Sequence, residues 1–115
     1  MAGRHDFTCD QGATFEREII LKDSTSTIID ITGATAEMDV RQRVDSTTTL
    51  IELSTANGRI TIDGSNGKLT LLIASADTTD LVTNGVYDLK LTYVSGTVER
   101  ILEGEFTVDP QVTRT

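Results

Sequence analysis

The chain has 115 residues, enough for one domain with its own core, and its 37% hydrophobic and 24% charged residues describe a globular polypeptide. A net charge of −8 lacks the basic footprint that phosphate backbones require, and it disfavours nucleic acid and anionic membranes as partners. The single cysteine, Cys9, excludes an intrachain disulfide. No run approaches the roughly 18 apolar residues of a membrane helix, and MAGRHDFTCD contains no signal-peptide core, so a soluble protein made without secretion is expected.

Arg4 to Cys9 reads as a short first strand with Phe7 and Cys9 on one face, and Asp10-Gln11-Gly12 as a turn. Thr14 to Lys22 alternates more clearly. Phe15, Ile19 and Leu21 take one face with Arg17 at its edge, and Glu16, Glu18 and Ile20 take the other. A Ser/Thr loop follows, then the apolar patch Ile28–Ile31 and Gly33. Thr35 to Val44 alternates as a strand, with Ala36, Met38 and Val40 inward. Thr49 to Ser54 is a further strand. Ile60–Ile62 and Leu69–Ile73 read as the arms of a hairpin, because Asn-Gly tolerates the positive φ of tight turns.

Ser75 to Leu81 changes character to one polar helical turn, which Ser75 is placed to N-cap and from which Leu81 and Val82 can dip into the core. From Val86 to Val94, Tyr87, Leu89, Leu91 and Tyr93 share a face. Ser95-Gly96 reads as a two-residue hairpin turn. Thr97 to Val108 returns with Val98, Arg100, Leu102, Phe106 and Val108 in phase and Ile101 out of phase. A bulge near Gly104, or neighbours on both faces, would explain that break. Pro110 closes the strand. With aromatics at only 4%, the core is expected to rest on Ile, Leu and Val.

These elements predict an all-β, immunoglobulin-like antiparallel β-sandwich with one short helical turn at about Ser75–Leu81. It forms a single domain over residues 1–110, followed by a polar tail over 111–115. The passage from the helical turn through Gly85-Val86 to Tyr87 is like the corner in such domains where a tyrosine hydroxyl bonds back to upstream backbone.

Catalytic equipment is sparse. His5, the one histidine, lies four residues along a strand from Cys9, too far for a direct hydrogen bond. One His and one Cys do not complete a zinc site. The run Asp63-Gly64-Ser65-Asn66-Gly67 lacks the terminal bidentate Glu of a calcium loop. The carboxylate pairs Glu16/Glu18, Glu103/Glu105 and Asp77/Asp80 fall where solvated faces normally lie. No phosphate-binding glycine loop and no Gly-x-Ser-x-Gly elbow occurs. The expectation is a protein that is not an enzyme and needs no cofactor or metal.

The order of motifs carries a resemblance. Phe7 and a Gln11-Gly12 turn precede Thr14-Phe15-Glu16-Arg17. Ile28–Ile31 leads into Thr32-Gly33-Ala34-Thr35-Ala36-Glu37-Met38. Ile73-Ala74-Ser75-Ala76-Asp77-Thr78-Thr79, Gly85-Val86-Tyr87-Asp88-Leu89 and Ser95-Gly96-Thr97-Val98-Glu99-Arg100-Ile101-Leu102-Glu103-Gly104 complete the series. It resembles small tail-associated proteins of tailed bacteriophages and the immunoglobulin-like N-terminal domain of phage baseplate upper proteins, which anchor receptor-binding devices. Those proteins continue into helical and docking regions, so the resemblance implies an anchoring module standing alone. It also implies a virion component assembled in the host cytoplasm, present in several copies in a symmetric assembly. Its partners would be other virion proteins of the tail, baseplate or fibre, reached as a tail or baseplate adaptor. A capsid decoration or head–tail connector is the alternative, and a soluble ligand- or carbohydrate-binding module a further one. If the domain assembles, its termini and the Ser95–Gly104 hairpin are expected to meet neighbours, which nominates Phe7, Arg100, Ile101, Pro110 and Val112 as interface residues.

Overall fold

The computed structural model describes residues 3–112. The elements are β1 (Gly3–Arg4), β2 (Phe7–Asp10), β3 (Phe15–Ile20), β4 (Thr35–Arg41), β5 (Ile51–Ser54), β6 (Ile60–Asp63), β7 (Lys68–Ile73), the single helical turn α1 (Ser75–Thr78), β8 (Gly85–Thr92) and β9 (Val98–Asp109). They form two sheets. The larger runs β1-β9-β8-β4-β5, with β2 continuing beside β9 after β1, and the smaller runs β3-β7-β6. Chain-adjacent strands β2/β3, β3/β4, β5/β6 and β7/β8 lie in different sheets, so the connections repeatedly cross the β-sandwich. Two pairings depart from the antiparallel expectation: β1 and β2 each run parallel to β9.

The alternation read from the sequence faces the core as expected. Ala36, Met38 and Val40 of β4, Ile51 and Leu53 of β5, Leu69, Leu71 and Ile73 of β7, and Leu89 and Leu91 of β8 are buried together. Aromatic residues contribute more than their number implies. Phe7 packs edge-on to Phe15 at 5.7 Å and against Tyr87 at 5.0 Å, and Phe15 lies 5.5 Å from Phe106. All three phenylalanines and one of the two tyrosines thus meet where β2, β3, β8 and β9 converge. Each aromatic buries more apolar area than an aliphatic residue, so four of them outweigh a low percentage. Arg17 closes the rim of this cluster, its guanidinium 4.6 Å over the Phe15 ring and bonded to the Thr8 carbonyl at 3.0 Å.

Several local expectations are corrected. Asn66-Gly67 closes the β6–β7 hairpin, with Gly67 in the left-handed region at φ 59°, but Asn57-Gly58 turns a corner between sheets. There the Asn57 side-chain oxygen accepts from Ser54 and Arg59 amides, both at 3.0 Å. Ser75 is the first helical residue, not the cap; Ala74 holds that position without a side-chain bond. Leu81 enters the core, whereas Val82 is exposed. The β8–β9 turn has three residues, Val94–Gly96, because Tyr93 and Thr97 still pair and Gly96 takes φ 93°. Thr78 is the one buried polar side chain among the described residues. Its hydroxyl accepts from the Gly12 amide at 3.1 Å and lies 2.8 Å from the Ala13 carbonyl, locking α1 to the β2–β3 turn.

Candidate functional site

The bulge expected near Gly104 lies three residues earlier. Leu89 pairs with Leu102 and Lys90 with Arg100, so Ile101 is the extra residue. Its effect is to reverse the facing of β9. Beyond it Leu102, Gly104, Phe106 and Val108 point inward; before it Arg100 and Val98 point outward beside Lys90 and Thr92. A regular strand would send Arg100 into the core. The bulge delivers it to the outer face of the large sheet.

That face carries side chains in rows set by the pairing register. Glu103, Asp88, Asp39 and Glu52 stand directly opposite one another across β9, β8, β4 and β5. Two residues along β8 and β4, and three along the bulged β9, Arg100 and Lys90 stand opposite each other, with Glu37 next in the row. Like charges directly opposed disfavour a sheet, so the face carries a charge pattern that the fold itself does not need. Three ion pairs offset it in part: Arg100 to Glu103 at 3.3 Å, Arg100 to Asp88 at 3.9 Å, and Arg41 to Asp39 at 3.2 Å. All are solvent-accessible pairs of small individual worth. Lys90 has no ion-pair partner among the described residues. A shallow groove of about 410 Å³ lies here, lined by Arg4, Arg41, Lys90 and Arg100 together with Asp39, Asp88 and Glu103. Four cations of a chain with net charge −8 are therefore gathered on one surface.

Next to Arg4, Tyr87 and Gly104 of this groove lies the joint between β1 and β2. His5 and Asp6 stand opposite Gly104 and Glu105 with the parallel ladder interrupted. The joint is held by the His5 amide on the Glu103 carbonyl at 2.9 Å, the Glu105 amide on the Asp6 carboxylate at 2.9 Å, and the Tyr87 hydroxyl donating to the His5 carbonyl. Tyr87 does bond to upstream backbone, but to the N-terminal segment rather than to the turn that precedes β8. Burial pushes its phenol up to about 12, with Asp6 adding to the effect. Gly104 makes the close approach possible: a β-carbon there would sit 2.2 Å from the His5 carbonyl oxygen.

The residues nominated for chemistry are kept apart. His5 is exposed and stacks edge-on to Phe7 at 4.8 Å, while Cys9 is fully buried. Burial, aided by Asp10, pushes the Cys9 thiol up to about 11, which leaves almost no thiolate at neutral pH. No group of three or more His, Cys, Asp or Glu side chains among the described residues is arranged to hold a metal ion. Asp63 accepts from the Asn66 side-chain amide at 2.9 Å, within the hairpin turn.

Of the nominated interface residues, Phe7 is 3% exposed in this chain and belongs to the aromatic core, because the pairing of β2 with β9 turns it inward. Arg100 lies on the charged face. Ile101 is half-buried against the core at the bulge, and Pro110 and Val112 are exposed at the opposite end of β9. The structure brings Arg100 and Ile101 together but not with Pro110 and Val112. The last residues of the nominated C-terminal segment, 113–115, and the first two of the N-terminal one lie outside the described residues. Sequence reasoning missed Lys90, Asp88 and Glu103 because exposed charges on alternating strands look like ordinary solvation. Only the register reveals that they form rows. No protein-family model matches the chain, and neither does any curated protein.

Proposed function

We propose that the protein is a non-enzymatic structural component of a bacteriophage virion, acting as a tail or baseplate adaptor that helps attach fibres or receptor-binding proteins. The observation that carries the assembly role is the outer face of the large sheet. It is broad, regular and patterned with charge that the fold does not require, as a contact surface for protein would be. The tail or baseplate placement is supported by the order of motifs from Phe7 to Gly104. The separation of His5 from Cys9 and the suppressed thiolate favour contact over reaction as the working principle.

Mass spectrometry of purified particles and of their separated heads and tails tests this reading. The chain is expected in intact particles and in the tail fraction. Its presence on tail-less heads alone would select a decoration or connector role, and its absence from particles would refute a virion role altogether.

A further inference from the structure

We propose that the outward face of β8 and β9 is a self-association surface, and that its partner is a second copy of this chain. The inference deepens the assembly role above, and rests on it only for the expectation that the protein works in several copies. Along β8 the outward residues run Thr92, Lys90, Asp88, Val86. Along β9 they run Val98, Arg100, Glu103, Glu105. Both strands change from basic to acidic across the same line, which passes between the Lys90–Arg100 pair and the Asp88–Glu103 pair.

A pattern that reverses sign across a line is complementary to itself when rotated by a half-turn about that line. Two-fold symmetry then repeats every contact. Laid face to face in this way, Lys90 of one copy meets Asp88 of the other, Arg100 meets Glu103, and both contacts recur reciprocally. The like-charge opposition that disfavours each isolated sheet becomes attraction between copies. The outer rows are compatible with this arrangement: Val86 of one copy falls against Thr92 of the other, both half-buried already.

The contact is confined to β8 and β9, because on β4 the same half-turn would set Glu37 of one copy against Asp39 of the other. The eight residues of β8 give it a length of about 26 Å at 3.3 Å per residue. That is smaller than the roughly 800 Å² per partner of an ordinary specific interface, so the dimer is a weak one. The protein's net charge of −8 opposes self-association in general. It therefore restricts contact to the one orientation in which cations and anions alternate. The bulge at Ile101 is the local device that makes this possible, since it places Arg100 outward.

Sedimentation velocity of the purified chain, from micromolar to millimolar concentration, gives the first readout. A monomer–dimer equilibrium is expected that weakens at about 1 M salt, where screening reaches about 3 Å. Lys90→Glu with Arg100→Glu should weaken the dimer by roughly 100-fold or more, because each change counts twice and juxtaposes like charges. So should Asp88→Lys with Glu103→Lys. Mixing the two doubly substituted proteins should restore association as a heterodimer, which a general loss of folding could not do. If either variant fails to fold by circular dichroism, concentration-dependent amide shifts of the unmodified protein take its place, and they should centre on Asp88, Lys90, Arg100 and Glu103. A wild-type chain that stays monomeric at millimolar concentration, a dimer indifferent to both charge reversals, or shifts centred elsewhere would overturn the proposal. Recovery of the chain from virion tails would leave the adaptor reading standing in any of those cases.

Discussion

Replacing Gly104 by alanine puts the anchoring of the N-terminal strand to a test whose sign is decided by the structure. Glycine in a strand costs roughly 0.5–1 kcal/mol relative to alanine, so in open space Gly104→Ala would stabilise the protein. Here the new β-carbon would lie 2.2 Å from the His5 oxygen, and 2.8 Å from both the His5 carbonyl carbon and the Asp6 carboxylate. Gly104 pairs with Tyr87 in the middle of the sheet, so β9 cannot retreat, and the β1–β2 joint must move. Three hydrogen bonds go with it: His5 to Glu103, Glu105 to Asp6 and Tyr87 to His5. At about 1 kcal/mol each, with the hydroxyl of the buried Tyr87 left unpaired, the net loss is roughly 2–4 kcal/mol. In a domain of this size that lowers Tm by roughly 10 °C. Urea unfolding with hydrogen exchange at the His5 and Glu105 amides measures both the energy and its location. Gly58→Ala is the control: with φ 80° and no neighbour within 4 Å, it should lose only about 1 kcal/mol from backbone strain. A neutral or stabilised Gly104→Ala protein with unchanged protection at His5 would refute the account of this joint.

Thr78→Val keeps the side-chain shape and removes the hydroxyl that accepts from Gly12, so urea unfolding should report a loss of roughly 1–3 kcal/mol, largely recovered in Thr78→Ser. Deleting Ile101 should leave a folded protein with Arg100 still outward, losing roughly 1–2 kcal/mol of burial by the same measurement; a regular strand would instead have half its residues turned over, and the deletion would unfold the hairpin. The Cys9 thiol is raised from 9.0 to about 11 in the folded state, so its protonated form favours folding. That contribution is complete below pH 9.0 and is lost as pH rises to about 11. Unfolding measured across this range should therefore show an alkaline decline that is smaller in Cys9→Ala. Tyr87, raised from 10.0 to about 12, prolongs the decline above pH 10.0, and Tyr87→Phe should remove that later part.

The sheet residues were legible because a two-residue period with one buried face leaves little choice of register. Met38, Leu53 and Leu89, all fully buried, were placed by alternation alone. The surroundings of Phe7 were not legible, because its position near the N-terminus says nothing of a parallel partner 99 residues away at Phe106. The bulge was visible as a break of phase at Ile101, yet its position followed only from the pairing of Lys90 with Arg100. The charged rows were not legible, since which of Asp39, Asp88, Glu103 and Glu52 stand side by side depends on three registers that no local pattern encodes. Gly104 drew notice as a strand glycine, but its reason is the distant His5 carbonyl.

The central claim is that this chain works by assembling. Zero-length carboxylate–amine cross-linking of purified phage particles, read by mass spectrometry, addresses it most directly. The account predicts peptides of this chain in the particle, with Lys90 joined to Asp88 or Glu103 of a second, isotopically distinguished copy. Particles that contain no peptide of this chain would contradict it.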